Sequence, residues 1–376
     1  MLIDGLQPLL TIAFLLLFAA DPSQVNSLLH SGLVALEQGH LTQARAELEQ
    51  ASKLDPQNAV VWASLVRAYQ RLKQPSLART AAENAERNGA GTPIVAHALA
   101  SYYADIGQFA HAAALEAEYA KSPAADAGAS GRVAGLYLNA NEPKKALPFA
   151  ETAWSREKND PQTAFVYAQA LLKAQDFTRA ADVLSGASAS NPNNAQLALA
   201  LGVARYGQRR FAEAIGAFLK TIAIDPRIPQ PYLFLGRVLD QAGPQMPAII
   251  DDYRRWLKLE PNKPEPPLLL AKALVASNGD NSEVETLLRR ALALDNESWE
   301  AHYQLGLLLS KKRQYKEAAA ELEAATKLNP DEPMPHYHLA RVYDRLGEKD
   351  RAAAERETHK RLMASPTHSE GPPMGR

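Results

Sequence analysis

Residues able to do chemistry are sparse in this chain of 376, and their spacing restricts them further. There is no cysteine, which removes disulfides, thiolate metal sites, thiol nucleophiles and lipid attachment through sulfur and fits either redox compartment. His336-Tyr337-His338 brings two imidazoles together in sequence, the residue type of a metal pair. On a helix, residues two apart point about 200° apart and cannot share an ion. A phosphate loop of the G-x-x-x-x-G-K-[ST] form and a zinc motif of the H-E-x-x-H form are both missing. No catalytic, cofactor-binding or metal-ligating residue is assigned on this basis. What the chain does carry is recognition chemistry, tyrosine and arginine, each combining a large contact area with a directional donor. Which of them meet a partner depends on the elements that hold them.

Alanine marks those elements. It recurs every thirty-four residues as Ala44, Ala78, Ala112, Ala146, Ala180, Ala214 and Ala248, and after a slip of two residues as Ala318 and Ala352. With that alanine as position 20, position 8 is Gly32, Gly202, Gly236 and Gly306, with Ala100, Ala134, Ala168 and Ala340 as further small residues. Position 7 is large and apolar, and position 11 carries Tyr69, Tyr103, Tyr137, Leu171, Leu239, Leu309 and Tyr343, giving the inward ridges of a first helix. Positions 20, 24 and 27 form one stripe on a second helix by their spacings of four and three. Pro56, Pro192, Pro226 and Pro330 at position 32 stop one repeat and open the next.

These residues resemble the tetratricopeptide repeat family, whose pattern is W-x2-L-G-x2-Y, then A-x3-F, then P over thirty-four residues. Trp62-Ala63-Ser64-Leu65-Val66-Arg67-Ala68-Tyr69 and His302-Tyr303-Gln304-Leu305-Gly306 are two good copies. The resemblance implies an all-α fold: a right-handed α-solenoid superhelix of about ten helix-turn-helix repeats between residues 25 and 362. It also implies that His302 and His336, at position 4, are packed core histidines. Repeat 8 departs from the pattern with Val284 and Asn296, and repeat 10 with Arg356, which suits a terminal unit facing water.

In this family positions 2, 5, 9 and 12 of the first helix face an inner groove, so the resemblance points to Phe165, Gln169, Tyr206, Arg237, Tyr303, Tyr337 and Arg341 as partner-binding residues. Arg237 and Arg341 stand three residues before Asp240 and Asp344, and pairing along their own helices competes with that role. Relatives that hold a chaperone's C-terminal carboxylate use lysine at position 5 and asparagine at position 9. The corresponding pairs here include Leu29 and Leu33, Ala63 and Arg67, and Tyr303 and Leu307, which argues against a carboxylate clamp. A mixed apolar and polar groove suits an extended peptide or an amphipathic helix.

Composition agrees. At 46% hydrophobic and 22% charged the chain can bury a large core, and a net charge of −1 argues against broad binding to nucleic acid. The longest basic run, Lys311-Lys312-Arg313, reads as a solvated turn within repeat 9. Leu9 to Ala20 is apolar apart from one threonine, shorter than the roughly 20 residues of a membrane span and suited to a signal-peptide core. It lacks a preceding Lys or Arg, and a cut after Ala20 would put bulky Phe18 three residues upstream. Export, cleaved or with a short anchor left in the membrane, is the expectation. A cytoplasmic chain whose apolar start caps the first repeat is the alternative.

The resulting division is 1–24 leader, 25–226 repeats 1 to 6, 227–296 proline-rich repeats 7 and 8 with a possible hinge, 297–362 repeats 9 and 10, and 363–376 a disordered tail. Ser282-Glu283-Val284-Glu285 reads as a capping box. Gly128, Gly131 and Gly135 lie on one face of a helix that should fray. The expected function is that of a non-catalytic scaffold or adaptor, bacterial in style. The alternatives are a membrane-held assembly factor of an envelope or secretion complex, or the recognition subunit of a separately encoded enzyme.

Overall fold

A computed structural model describes residues 24–89 and 91–364. The leader Leu9–Ala20 and the tail from 365 lie outside the described residues. Packing divides the chain into two units, Met1–Asn191 and Pro192–Arg376. In the first, helices α1 (Gln24–Gln38), α2 (Leu41–Leu54), α3 (Ala59–Arg71), α4 (Pro75–Gly89), α5 (Pro93–Asp105), α6 (Phe109–Ala120), α7 (Ala129–Asn139), α8 (Pro143–Arg156), α9 (Pro161–Lys173) and α10 (Phe177–Ser190) make five pairs. The second holds α11 (Ala195–Gly207), α12 (Phe211–Ile224), α13 (Gln230–Leu235), α14 (Met246–Leu259), α15 (Glu265–Ala276), α16 (Asn281–Leu294), α17 (Trp299–Lys311), α18 (Tyr315–Leu328), α19 (Pro333–Leu346) and α20 (Lys349–Met363). Short 3₁₀ turns at Leu239–Gln241 and Gly243–Gln245 join α13 to α14. No strand occurs among the described residues, and the all-α expectation holds.

Each pair closes on one left-handed residue, the commonest way to end a helix. These residues are Gly39, Lys73, Gly107, Asn141, Gln175, Arg209, Gly243, Asn278, Arg313 and Gly347. They are thirty-four apart, except that Gly243, Asn278 and Arg313 are separated by thirty-five. The position-20 residue follows five later everywhere but in repeats 7 and 8, where it follows six later. Consequently Ala248 does not take its expected place: it is exposed, and Ile249 is buried instead. The two-residue slip is one surplus residue in each of two neighbouring turns. In repeat 7 it falls in the 3₁₀ turn at Gly243–Gln245, and in repeat 8 between Asn278 and α16.

Small residues at position 8 let paired helices touch. A β-carbon on Gly32 would come within 2.8 Å of Leu48, on Gly202 within 2.4 Å of Phe218, and on Gly306 within 2.7 Å of Leu322. Each glycine thus faces the large position-24 residue of its own pair. Gly236 breaks the rule, because its β-carbon would meet Leu269 of the next repeat at 2.6 Å.

The capping box is not formed as read. Helix α16 starts at Asn281, two residues earlier than that box requires, so Asp280 is the cap, accepting from the Ser282 amide at 3.0 Å. Glu285 instead accepts from Arg289 and Lys312. Lys312 is therefore tied to α16 at 2.6 Å rather than free in solvent, although it remains at the surface. The glycine-rich helix also begins later than its pattern suggests, with Gly128 as its N-cap. The preceding turn is held by Asp126, which takes Arg132 on both carboxylate oxygens. The Arg132 guanidinium holds the Asp126 carboxyl below the usual carboxylate range, with burial opposing. Arg132 also reaches buried Glu116, which binds His97 at 2.7 Å.

Two hydrogen-bond patterns fasten one repeat to the next. Position-4 aromatics donate to a carbonyl six residues back: Trp62 to Pro56 at 2.8 Å and Tyr232 to Pro226 at 3.1 Å. The His302 and His336 rings meet Asn296 and Pro330 in the same way. Each of these histidines turns its other nitrogen to a glutamate nineteen residues on, Glu321 or Glu355. His336 is buried as the family pattern implied, while His302 is half-buried. Position-11 tyrosines reach back to the preceding pair, as Tyr69 does to Glu49 and Tyr343 to Glu323.

Candidate protein-binding surface

The candidate residues fall into three places. Phe165 and Gln169 sit one turn apart on α9 in the first unit, both half-buried. In the second unit, Tyr206 and Arg237 both rest on Phe234: the Tyr206 ring is 5.5 Å from it and the Arg237 guanidinium lies 5.6 Å over its face. Phe234 in turn stacks on Phe218, at 5.0 Å. Tyr206 is thereby part of the core margin, while Arg237 is exposed.

The third place gathers Tyr303, Tyr337 and Arg341 around two histidines, His338 and His359. Tyr303 on α17 packs on His338 of α19, ring centres 5.7 Å apart. Tyr337 packs edge-on against His338 at 5.1 Å and against His359 of α20 at 5.4 Å. The Arg341 guanidinium lies over the Tyr337 ring at 5.7 Å. His336 and His338 diverge as their spacing requires, one to Glu355 and the other to Tyr303. Among the described residues no three His, Asp or Glu side chains converge as a metal site would need.

Neither arginine pairs with the aspartate three residues on. Helix α13 ends at Leu235, before Arg237, and Asp240 accepts from Gln241 at 2.9 Å. Asp344 is taken by Arg356 of α20 at 2.7 Å. Arg341 is thus exposed and lies over the Tyr337 ring rather than on Asp344. Burial, with a smaller contribution from Glu332, pushes the Tyr303 phenol up to about 12, so it stays a neutral donor. Burial, then Arg341 and His359, lowers the His338 imidazole below its ordinary value, and His338 presents an uncharged ring to Tyr303 at neutral pH.

Models of the tetratricopeptide repeat match residues 35–102, 167–229 and 303–358, and the helix pairs carry the same repeat across the stretches between. The chain is a tetratricopeptide repeat protein. Repeats of this family build surfaces for protein–protein interaction. No curated protein matches the sequence significantly. Among solved structures it is similar to the Cut9–Hcn1 hetero-tetramer of the APC/C, with 14% identity, 92% of this chain and 75% of that one covered, and a TM-score of 0.44. It is also similar to yeast Tom70, with 15% identity, 91% and 92% covered, and a TM-score of 0.41. PilF of Pseudomonas aeruginosa is similar at 18% identity over 57% of this chain and 97% of that one, with a TM-score of 0.41. Likenesses this distant carry no inference about partners.

The sequence missed His338, His359 and Phe234. Phe234 and His338 hold position 6, whose residue changes from repeat to repeat, and His359 stands at position 27, alanine in most repeats; each gains its place through contact with a neighbouring helix.

Proposed function

We propose that this tetratricopeptide array is a non-catalytic scaffold that binds a peptide or amphipathic helix of a partner protein on the surface formed by Tyr303, Tyr337 and Arg341. The observation that carries the reading is the Arg341–Tyr337 stack: an exposed aromatic ring with a guanidinium laid over it, packed against His338 and His359. Such a pair is ordered before binding, so little side-chain entropy is lost when a partner arrives. Aromatic and arginine anchors of this kind dominate the energy of protein interfaces.

The test uses Tyr337→Ala with Arg341→Ala in the full chain, two exposed positions whose loss leaves the half-buried Tyr303 in place. Crosslinking pull-downs from native cells are compared with the parent after circular dichroism shows equal helicity. Loss of one partner supports the surface. An unchanged partner set removes it and moves binding to other repeats.

A further inference from the structure

Repeats 7 and 8 hold a feature that the groove reading does not use. Their surplus residues, together with the end of α13 after only six residues, leave space between the two helix turns. The space is a cleft of about 630 Å³ lined by residues from Leu239 to Ser277, within the span of about 300–1,000 Å³ found for ligand sites. Its floor is apolar: Leu239 and Leu274 belong to the core of the second unit, and Met246 and Ile250 are half-buried at its side. The rim is fixed by Gly243, at φ +47, and by the prolines 244 and 247 on either side of the start of α14.

Its charge is one-sided. Asp240 and Asp251 stand at the rim, both exposed. Asp240 takes the neutral Gln241 amide at 2.9 Å, and neither aspartate joins an ion pair within 4 Å among the described residues. The single basic side chain in the lining, Arg254, is held by Glu283 at 3.2 Å, so its charge is already matched. An apolar floor beneath two unmatched carboxylates complements an apolar side chain flanked by cations.

We propose that this cleft is a second docking site, separate from the Tyr303, Tyr337 and Arg341 surface, and that it takes a partner segment in which a leucine-sized residue lies beside lysine or arginine. The apolar side chain fills the floor between Leu239, Ile250 and Leu274, and the flanking cations meet Asp240 and Asp251.

The probes are three series of fluorescein-labelled fifteen-residue peptides on one scaffold: leucine flanked by lysines, leucine flanked by glutamates, and alanine flanked by lysines. Each is titrated by anisotropy into the full chain. The leucine–lysine series alone should bind, and its affinity should fall as salt rises. Removing both rim charges with Asp240→Asn and Asp251→Asn should weaken it about tenfold, the worth of two exposed charge pairs. Ile250→Glu should abolish it, and Tyr337→Ala with Arg341→Ala should leave it unchanged. All these positions are outside the buried core, and helicity is checked for each. The proposal is overturned if no leucine–lysine peptide binds, if the glutamate series binds as well, or if the cleft variants have no effect. Self-association of the chain that Ile250→Glu removes would give the cleft to a second copy and also overturn it. Failure of the groove reading appears in the pull-down and leaves these titrations untouched.

Discussion

Tyr303 and Tyr337 hold the same position in consecutive repeats, yet one is half-buried and the other exposed. The difference is the following helix: α19 brings His338 over Tyr303, and no helix follows α20 among the described residues to do the same for Tyr337. The family pattern was enough to place both tyrosines on one helix surface, but it says nothing of what covers them, because that depends on the next repeat. His338 makes the surface sensitive to acid. It faces Tyr303 from α17, Tyr337 and Arg341 on its own helix, and His359 from α20, and its folded value lies below the ordinary 6.5. The unfolded chain therefore takes up the proton first, so the stability contributed by neutral His338 is present above 6.5 and is lost as pH falls through the lower folded value. Urea midpoints taken from about pH 8 to about pH 5 should fall less steeply on the acid side in His338→Phe than in the parent. Equal slopes would show that the ring is not desolvated.

At the scale of one helix, glycine substitutions should act in opposite directions at different sites. Gly135 has nothing within 4 Å of a β-carbon, and Gly131 has only Ala153 at 3.9 Å. Replacing each with alanine in α7 should stabilise the protein by about 1 kcal/mol, the helix-propensity difference, seen as a higher denaturation midpoint. Gly202→Ala brings the same propensity gain but drives a methyl to 2.4 Å from the Phe218 ring. Its net effect should be a loss of about 1–3 kcal/mol. A stable Gly202→Ala would mean that the α11 and α12 crossing can widen freely. The alanine stripe was legible in sequence because close helix crossings admit little else. Ala248 misled for the same reason: an alanine at the right interval looks right, and only burial reveals that Ile249 fills the place. The capping box failed likewise, since Ser282 and Glu285 have the right types two residues out of phase with the start of α16.

Over the whole chain, stability should follow neighbours rather than a single core, because each pair packs mainly on the pairs beside it. Leu322, fully buried against Gly306, is a suitable probe in the second unit. Leu322→Ala should cost about 2–5 kcal/mol, and hydrogen exchange should show faster opening in α17 to α20 while α1 to α6 keep their protection. Uniform loss of protection would indicate that the array unfolds as one. The division between units at Asn191 and Pro192 was not legible, because that proline repeats the turn seen at Pro56, Pro226 and Pro330 and carries no mark of its own. The left-handed turns have one further consequence. Each fixes the direction of the chain anew, so a length change just after it is absorbed on the spot: beyond the surplus residues of repeats 7 and 8, Ala318 and Ala352 return to their buried places. Errors in counting do not accumulate along the chain. A protein built this way can gain or lose a residue at those turns, and remodel a local surface, without renegotiating the interfaces on either side.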